Sequence, residues 1–167
     1  LLKQIYNRIA LKAVKLPTFN DYKLTWKTIL RSSGIGSFIG ILPAEGGTVA
    51  SLIGYSEAKR WSKSPEEFGK GSIEGVAGAE AANNAATGGA MVPTLALGIP
   101  GSATTAVILT GLIIHGVRPG PALFREQPEF LYGIFGAMFI ANILFFILGF
   151  FGAKIFARVT LIPNKLL

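Results

Sequence analysis

Glu80, Asn83 and Asn84 stand in GSIEGVAGAEAANNAATGGAM (residues 71–91), where almost every neighbour is Gly or Ala. At helical spacing Glu80 lies three residues from Asn83 and four from Asn84, so all three share one side of a helix. Asn83 and Thr87 repeat the four-residue spacing. A carboxylate at membrane depth is costly unless it is paired, hydrated or protonated, which makes Glu80 a functional candidate. It could carry a proton, or share a sodium ion with the amide oxygens of Asn83 and Asn84. The competing reading is a carboxylate at headgroup level, or one hydrogen-bonded for structure alone.

Two further stretches bear polar groups inside apolar sequence. LGIPGSATTA (97–106) and GILPAEGGTVASL (40–52) superpose on Pro100 and Pro43, which aligns Thr105 with Thr48 and Leu109 with Leu52. Each reads as an apolar half-helix, a Pro break, small residues and a new helix start. Paired Pro/Gly-interrupted segments point to the binding site in secondary transporters. A half-helix starting near Ser102 would present unpaired backbone N–H groups and the positive end of its dipole. The hydroxyls of Ser102, Thr104 and Thr105 would add donors beside Gly101 and could replace the water shell of a carboxylate. Pro43, Gly46, Gly47 and Thr48 would supply the second break. A Pro-kinked spanning helix without a ligand is the alternative.

Other chemistries find little support. The chain has no Cys and one His, so thiolate chemistry is absent and a metal site would need carboxylate helpers around His115. That histidine ends an apolar run and reads as interfacial. No G-x-x-x-x-G-K-[ST] occurs, which removes the phosphate loop expected of an ATP-hydrolysing chain. No cofactor is expected beyond a coupling proton or sodium ion.

The elements positioning these residues are membrane segments. Half of the 167 residues are hydrophobic and only 15% are charged, against about 25% in soluble domains. Seven of the sixteen Lys and Arg lie in residues 1–31, against the single acid Asp21, and none lies between Gly71 and Val117. Basic ends around charge-poor interiors follow the positive-inside rule, and a nucleic-acid partner is not expected. The reading is an all-α integral membrane protein whose spanning helices include Pro/Gly-broken and re-entrant segments. Residues 1–31 form a basic cytoplasmic or interfacial segment, with Leu2, Ile5 and Ile9 on one face. Residues 32–167 form the transport domain.

Within that domain, residues 32–58 have basic flanks on both sides and read as a re-entrant hairpin with LPAEGG at its tip. Ser64-Pro65-Glu66-Glu67 reads as a capped helix start that Gly69 stops. Pro93 and Pro100 are expected to break the next segment. Residues 118–129 form an outer loop, and residues 130–153 a spanning helix followed by Lys154, Arg158 and Lys165 on the cytoplasmic side. The chain lacks an initiating Met, so an internal portion of a longer protein is expected.

Taken together, GILPAEGG, EAANNA, LGIPGSATTA and HGVRPGP resemble TctA, the large membrane subunit of the bacterial tripartite tricarboxylate transporters. The resemblance runs from about Gly34 to Phe124. It implies a multi-pass inner-membrane carboxylate transporter driven by an ion gradient, not an enzyme. The implied partners are membrane lipid, a small membrane subunit and a periplasmic substrate-binding protein. The family usually has Pro-Glu where Ala79-Glu80 stands, and Gly-Ala where Ala44-Glu45 stands. Glu45 thus adds negative charge beside the expected anion site. Two other functions fit the same composition: a membrane-embedded enzyme using Glu80 or His115, and a non-transporting scaffold subunit.

Overall fold

The computed structural model describes residues 17–43 and 46–159, with side chains through 152. Among these residues every regular element is a helix. The expected amphipathic pattern at Leu2, Ile5 and Ile9, the pair Ala44-Glu45, and the side chains of Lys154, Arg158 and Lys165 lie outside them.

Helix α1 spans Phe19–Ile41 and passes residue 31 without interruption. Thr18 starts it with a capping box: the Thr18 hydroxyl accepts from the Asp21 N–H, and the Asp21 carboxylate accepts from the Thr18 N–H. Donation to the carboxylate from the Thr18 N–H, and from the Thr18 hydroxyl, holds the Asp21 carboxyl below its ordinary range. Helix α2, Gly46–Trp61, follows the break at Pro43, and Gly46 takes the left-handed conformation (φ 65°) that a side chain would resist. Helix α3, Ile73–Leu97, starts on Ser72, whose hydroxyl accepts from the Gly75 N–H.

The helices α1, α2 and α3 pack backbone to backbone. A Cβ on Gly36 would overlap the Ala82 carbonyl oxygen, one on Gly40 the Ala86 oxygen, and one on Gly89 the Ser37 oxygen. Residue numbers rise together along this seam, so α1 and α3 run parallel. Against α2 the order reverses. A Cβ on Gly54 would lie 2.5 Å from the Ala82 Cβ, and one on Gly78 2.6 Å from the Ala58 Cβ. The core is therefore built from Ala50, Ala58, Ala82 and Ala86, all nearly inaccessible, with Ile39 beside them. Small residues permit this approach, as in helix bundles within lipid, where large apolar side chains gain little by leaving the hydrocarbon.

Three local expectations need correction. Pro93 does not break the chain: α3 continues through it and ends four residues later, where Gly98 (φ 67°) donates its N–H to the Pro93 carbonyl. The carbonyl that a proline at 93 disturbs belongs to Gly89, which has no side chain to crowd the adjustment. Ser64 does not close a capping box. Pro65–Glu67 makes one 3-10 turn, too short for the box, and the Ser64 hydroxyl caps nothing. Phe68 caps that turn, and Gly69 follows it with a positive φ (83°). The expected loop 118–129 contains a helix, α5 (Pro121–Glu126), with proline at its first position.

Helix α4, Ala103–Ile114, has twelve residues, about 18 Å, which falls short of a hydrocarbon core. Helix α6 spans Pro128–Val159, and from Glu129 on it belongs to a unit distinct from residues 17–128. Its stretch Pro128–Gly152 is long and apolar enough to cross a membrane. Phe139, Phe145, Phe146 and Phe151 are exposed along it.

Candidate functional site

Pro43 ends α1 in an exposed turn, and Gly46-Gly47 opens α2. Gly47 lies directly against Asn83: a Cβ there would overlap the Asn83 Oδ1. The first break therefore meets the polar stripe of α3. Thr48, one residue on, is exposed and faces no described partner through its hydroxyl.

The second break meets α3 as well. Gly101 is buried, and a Cβ on it would lie 2.8 Å from the Ala90 Cα. Its N–H donates to the Thr94 hydroxyl (3.4 Å), which in turn donates to the Ala90 carbonyl (2.7 Å). Asn83 and Ala90 are seven residues apart, close to two turns, so they project from the same face of α3 about 10 Å apart along its axis. Thr87 stands exposed between them. Both interruptions thus abut one stripe of α3, Asn83–Thr87–Ala90–Thr94.

The helix start at Ser102 forms as expected, with a complete capping box. The Ser102 hydroxyl accepts from the Thr105 N–H (3.2 Å), and the Thr105 hydroxyl accepts from the Ser102 N–H (2.8 Å). Thr105 is only 2% exposed, and its hydroxyl also donates to the Ser102 carbonyl (3.0 Å). Its side chain is committed to shaping the helix start. Thr104 is exposed and its hydroxyl is unengaged among the described residues. The donors left for an anion are the Ala103 and Thr104 N–H groups and the Thr104 hydroxyl, since the Thr105 and Ala106 N–H groups are taken by Ser102.

Glu80 and Asn84 are exposed on α3, and neither makes a side-chain hydrogen bond or ion pair among the described residues. Thr87 donates to the Asn83 carbonyl (3.4 Å). His115 caps the C-terminus of α4 through its backbone and is exposed. Among the described residues no three His, Asp or Glu side chains are placed to hold a metal ion.

Sequence reasoning missed Thr94. It is completely buried, and it fastens the loop carrying Gly101 to α3. Its only signal was a hydroxyl beside a proline in an apolar run. Leu95 was missed too: its carbonyl accepts from the Gly120 N–H (2.9 Å), tying the far side of the α4 excursion to the same turn.

The family profile described as "Tripartite tricarboxylate transporter TctA family" matches residues 3–167. Two proteins of Agrobacterium vitis are similar in sequence. The "Uncharacterized 52.8 kDa protein in TAR-I ttuC' 3'region" is 40% identical over 147 residues, covering 88% of this chain and 29% of that protein. The "Uncharacterized protein in TAR-II ttuC' 3'region" is 42% identical over 132 residues, covering 79% of this chain and 54% of that protein. The chain thus spans less than a third of one relative and about half of the other. No solved structure gives a significant match.

Proposed function

Because the chain belongs to the tripartite tricarboxylate transporter TctA family, we propose that it forms part of the large membrane subunit of a secondary carboxylate transporter. The substrate is a tricarboxylate or a related carboxylate. An ion gradient drives it, and the subunit works in the inner membrane with a small membrane subunit and a periplasmic substrate-binding protein. The observation that carries this reading is the meeting of both Pro/Gly breaks on one polar stripe of α3, through Gly47 on Asn83 and Gly101 on Ala90.

In this reading the substrate sits over that stripe. The Ala103 and Thr104 N–H groups at the start of α4 and the Thr104 hydroxyl offer donors to a carboxylate, and Asn83 and Asn84 offer amides. Pro43, Gly46, Gly47, Thr48 and Gly101 keep the two breaks open, while Ser102 and Thr105 hold the α4 start in shape. Helix termini attract anions through unpaired N–H groups and the dipole, so no buried cation is required. Glu80, with Asn83 and Asn84, handles the coupling ion.

The test is gradient-driven uptake of radiolabelled carboxylates by the full-length complex in proteoliposomes. Uptake that requires the binding protein and collapses with the ion gradient is expected. Absence of gradient-dependent uptake for every carboxylate would sink the reading. Asn84→Ala is expected to lower uptake while leaving membrane insertion intact.

A further inference from the structure

Away from the two breaks, the opposite end of the α1–α2–α3 bundle carries a cavity of about 700 Å³ that is open along one side. Its cationic lining comes from Lys23, Lys27 and Arg31 of α1 and Lys63 of the α2–α3 link. The three α1 residues stand at i, i+4 and i+8, one above another on a single face. Two carboxylates, Glu67 and Glu74, also line it. Glu74 is already satisfied by hydroxyls: its Oε1 accepts from Thr28 (3.3 Å) and its Oε2 from Ser62 (2.5 Å). The one ion pair among the described residues is Arg60–Glu57, outside the cavity, so none of the four lining cations has a carboxylate partner among them.

Arg31 is the sharpest feature. Its guanidinium stacks 4.9 Å over the Trp61 ring, and its Nη1 is buried without a hydrogen-bond partner among the described residues. A guanidinium N–H left unpaired is costly, and because Arg31 also lines the cavity, an oxyanion seated there is the group its guanidinium pairs with best. The chain's two tryptophans, Trp26 and Trp61, both line the cavity and are about half exposed or more. Tryptophan at a rim of Lys and Arg is the composition of a membrane–water interface on the side carrying anionic lipid.

We propose that this cavity is a binding site for the phosphate of an anionic phospholipid headgroup. Arg31 and Lys27 hold the phosphate, Lys23 and Lys63 flank it, and the two indoles pack on the glycerol region. The site is separate from the carboxylate site and does not depend on which substrate is carried.

The experiment uses the full-length subunit in nanodiscs with brominated lipids, which quench indole emission on contact. Subtracting a Trp26→Phe/Trp61→Phe variant isolates the signal of these two residues. Brominated phosphatidylglycerol is expected to quench them at a several-fold lower mole fraction than brominated phosphatidylcholine. Arg31→Gln and Lys27→Gln should each weaken that preference about fivefold. Lys27→Arg, which keeps the charge, should retain it and serves as the control for folding. Equal quenching by both lipids overturns the proposal. So does abolition of the preference by millimolar inorganic phosphate or citrate at constant ionic strength, which would identify a soluble oxyanion as the occupant.

Discussion

Gly47 and Asn83 are so close that a methyl group on Gly47 would overlap the Asn83 side-chain oxygen. The atom in the way is the end of a side chain, which can turn aside at small cost. Gly47→Ala is therefore expected to cost under about 1 kcal/mol of stability while displacing the Asn83 amide. Carboxylate uptake should fall severalfold with membrane insertion unchanged. Normal uptake by Gly47→Ala would place substrate elsewhere.

Gly36 and Gly40 differ from Gly47 because what they meet is backbone. A side chain at either position would push α1 away from the carbonyls of Ala82 and Ala86, which cannot rotate aside. Gly36→Ala should destabilise by about 1–3 kcal/mol through overpacking. Gly34, two residues earlier, faces open space within the same helix. Gly34→Ala should be neutral or stabilising by up to about 1 kcal/mol. Thermal unfolding midpoints of the detergent-solubilised protein separate the two, and similar shifts for both would refute the tight α1–α3 seam.

At the second break, two neighbouring threonines should behave oppositely. Ser102→Ala and Thr105→Ala each remove half of the capping box, and each should cost about 1 kcal/mol of local stability. Thr104→Ala touches no bond of the cap. It should leave stability unchanged and raise the carboxylate concentration for half-maximal uptake. The idea fails if Thr104→Ala transports like the parent protein.

The helical architecture and the start of α4 were legible because caps and breaks are local: Ser102, Pro100 and Gly46 act on their own few residues. The close packing of residues 71–91 rests on their Gly and Ala composition, since small side chains let helix backbones approach. What local signals could not supply was length and tertiary compensation. Pro93 looks like a stop, but Gly89 sits where its ring would crowd the preceding turn. Ser64 has the residue types of a capping box, but three residues make only one 3-10 turn. The apposition of Gly47 with Asn83, and Thr94's grip on Gly101, join residues far apart in sequence, which no spacing rule reaches.

The cap of α1 should respond to acid. Both the N–H and the hydroxyl of Thr18 donate to the Asp21 carboxylate (2.6 and 2.8 Å), which keeps it ionised below its ordinary value of 3.8. A carboxyl depressed by folding contributes stability that is fully present above its unfolded value and is lost as pH falls through the folded one. The first turn of α1 should therefore begin to fray only below that ordinary value, seen as a lower amide protection factor around Tyr22. In Asp21→Asn the exchange should be faster at neutral pH, and the protection factor should not change further in acid. Equal exchange in both proteins at neutral pH would mean that the box contributes nothing.

Glu80 lies one turn before Asn83 on α3 and is free of any cation among the described residues. If it handles the coupling ion, its charge matters to the driving force rather than to the grip on substrate. Glu80→Gln keeps shape and hydrogen-bonding capacity but removes the ionisable group. Substrate binding by the purified subunit should persist, while gradient-driven accumulation falls and exchange of internal for external carboxylate continues. Loss of binding and exchange together would make Glu80 a substrate contact. Unchanged accumulation would remove it from coupling altogether.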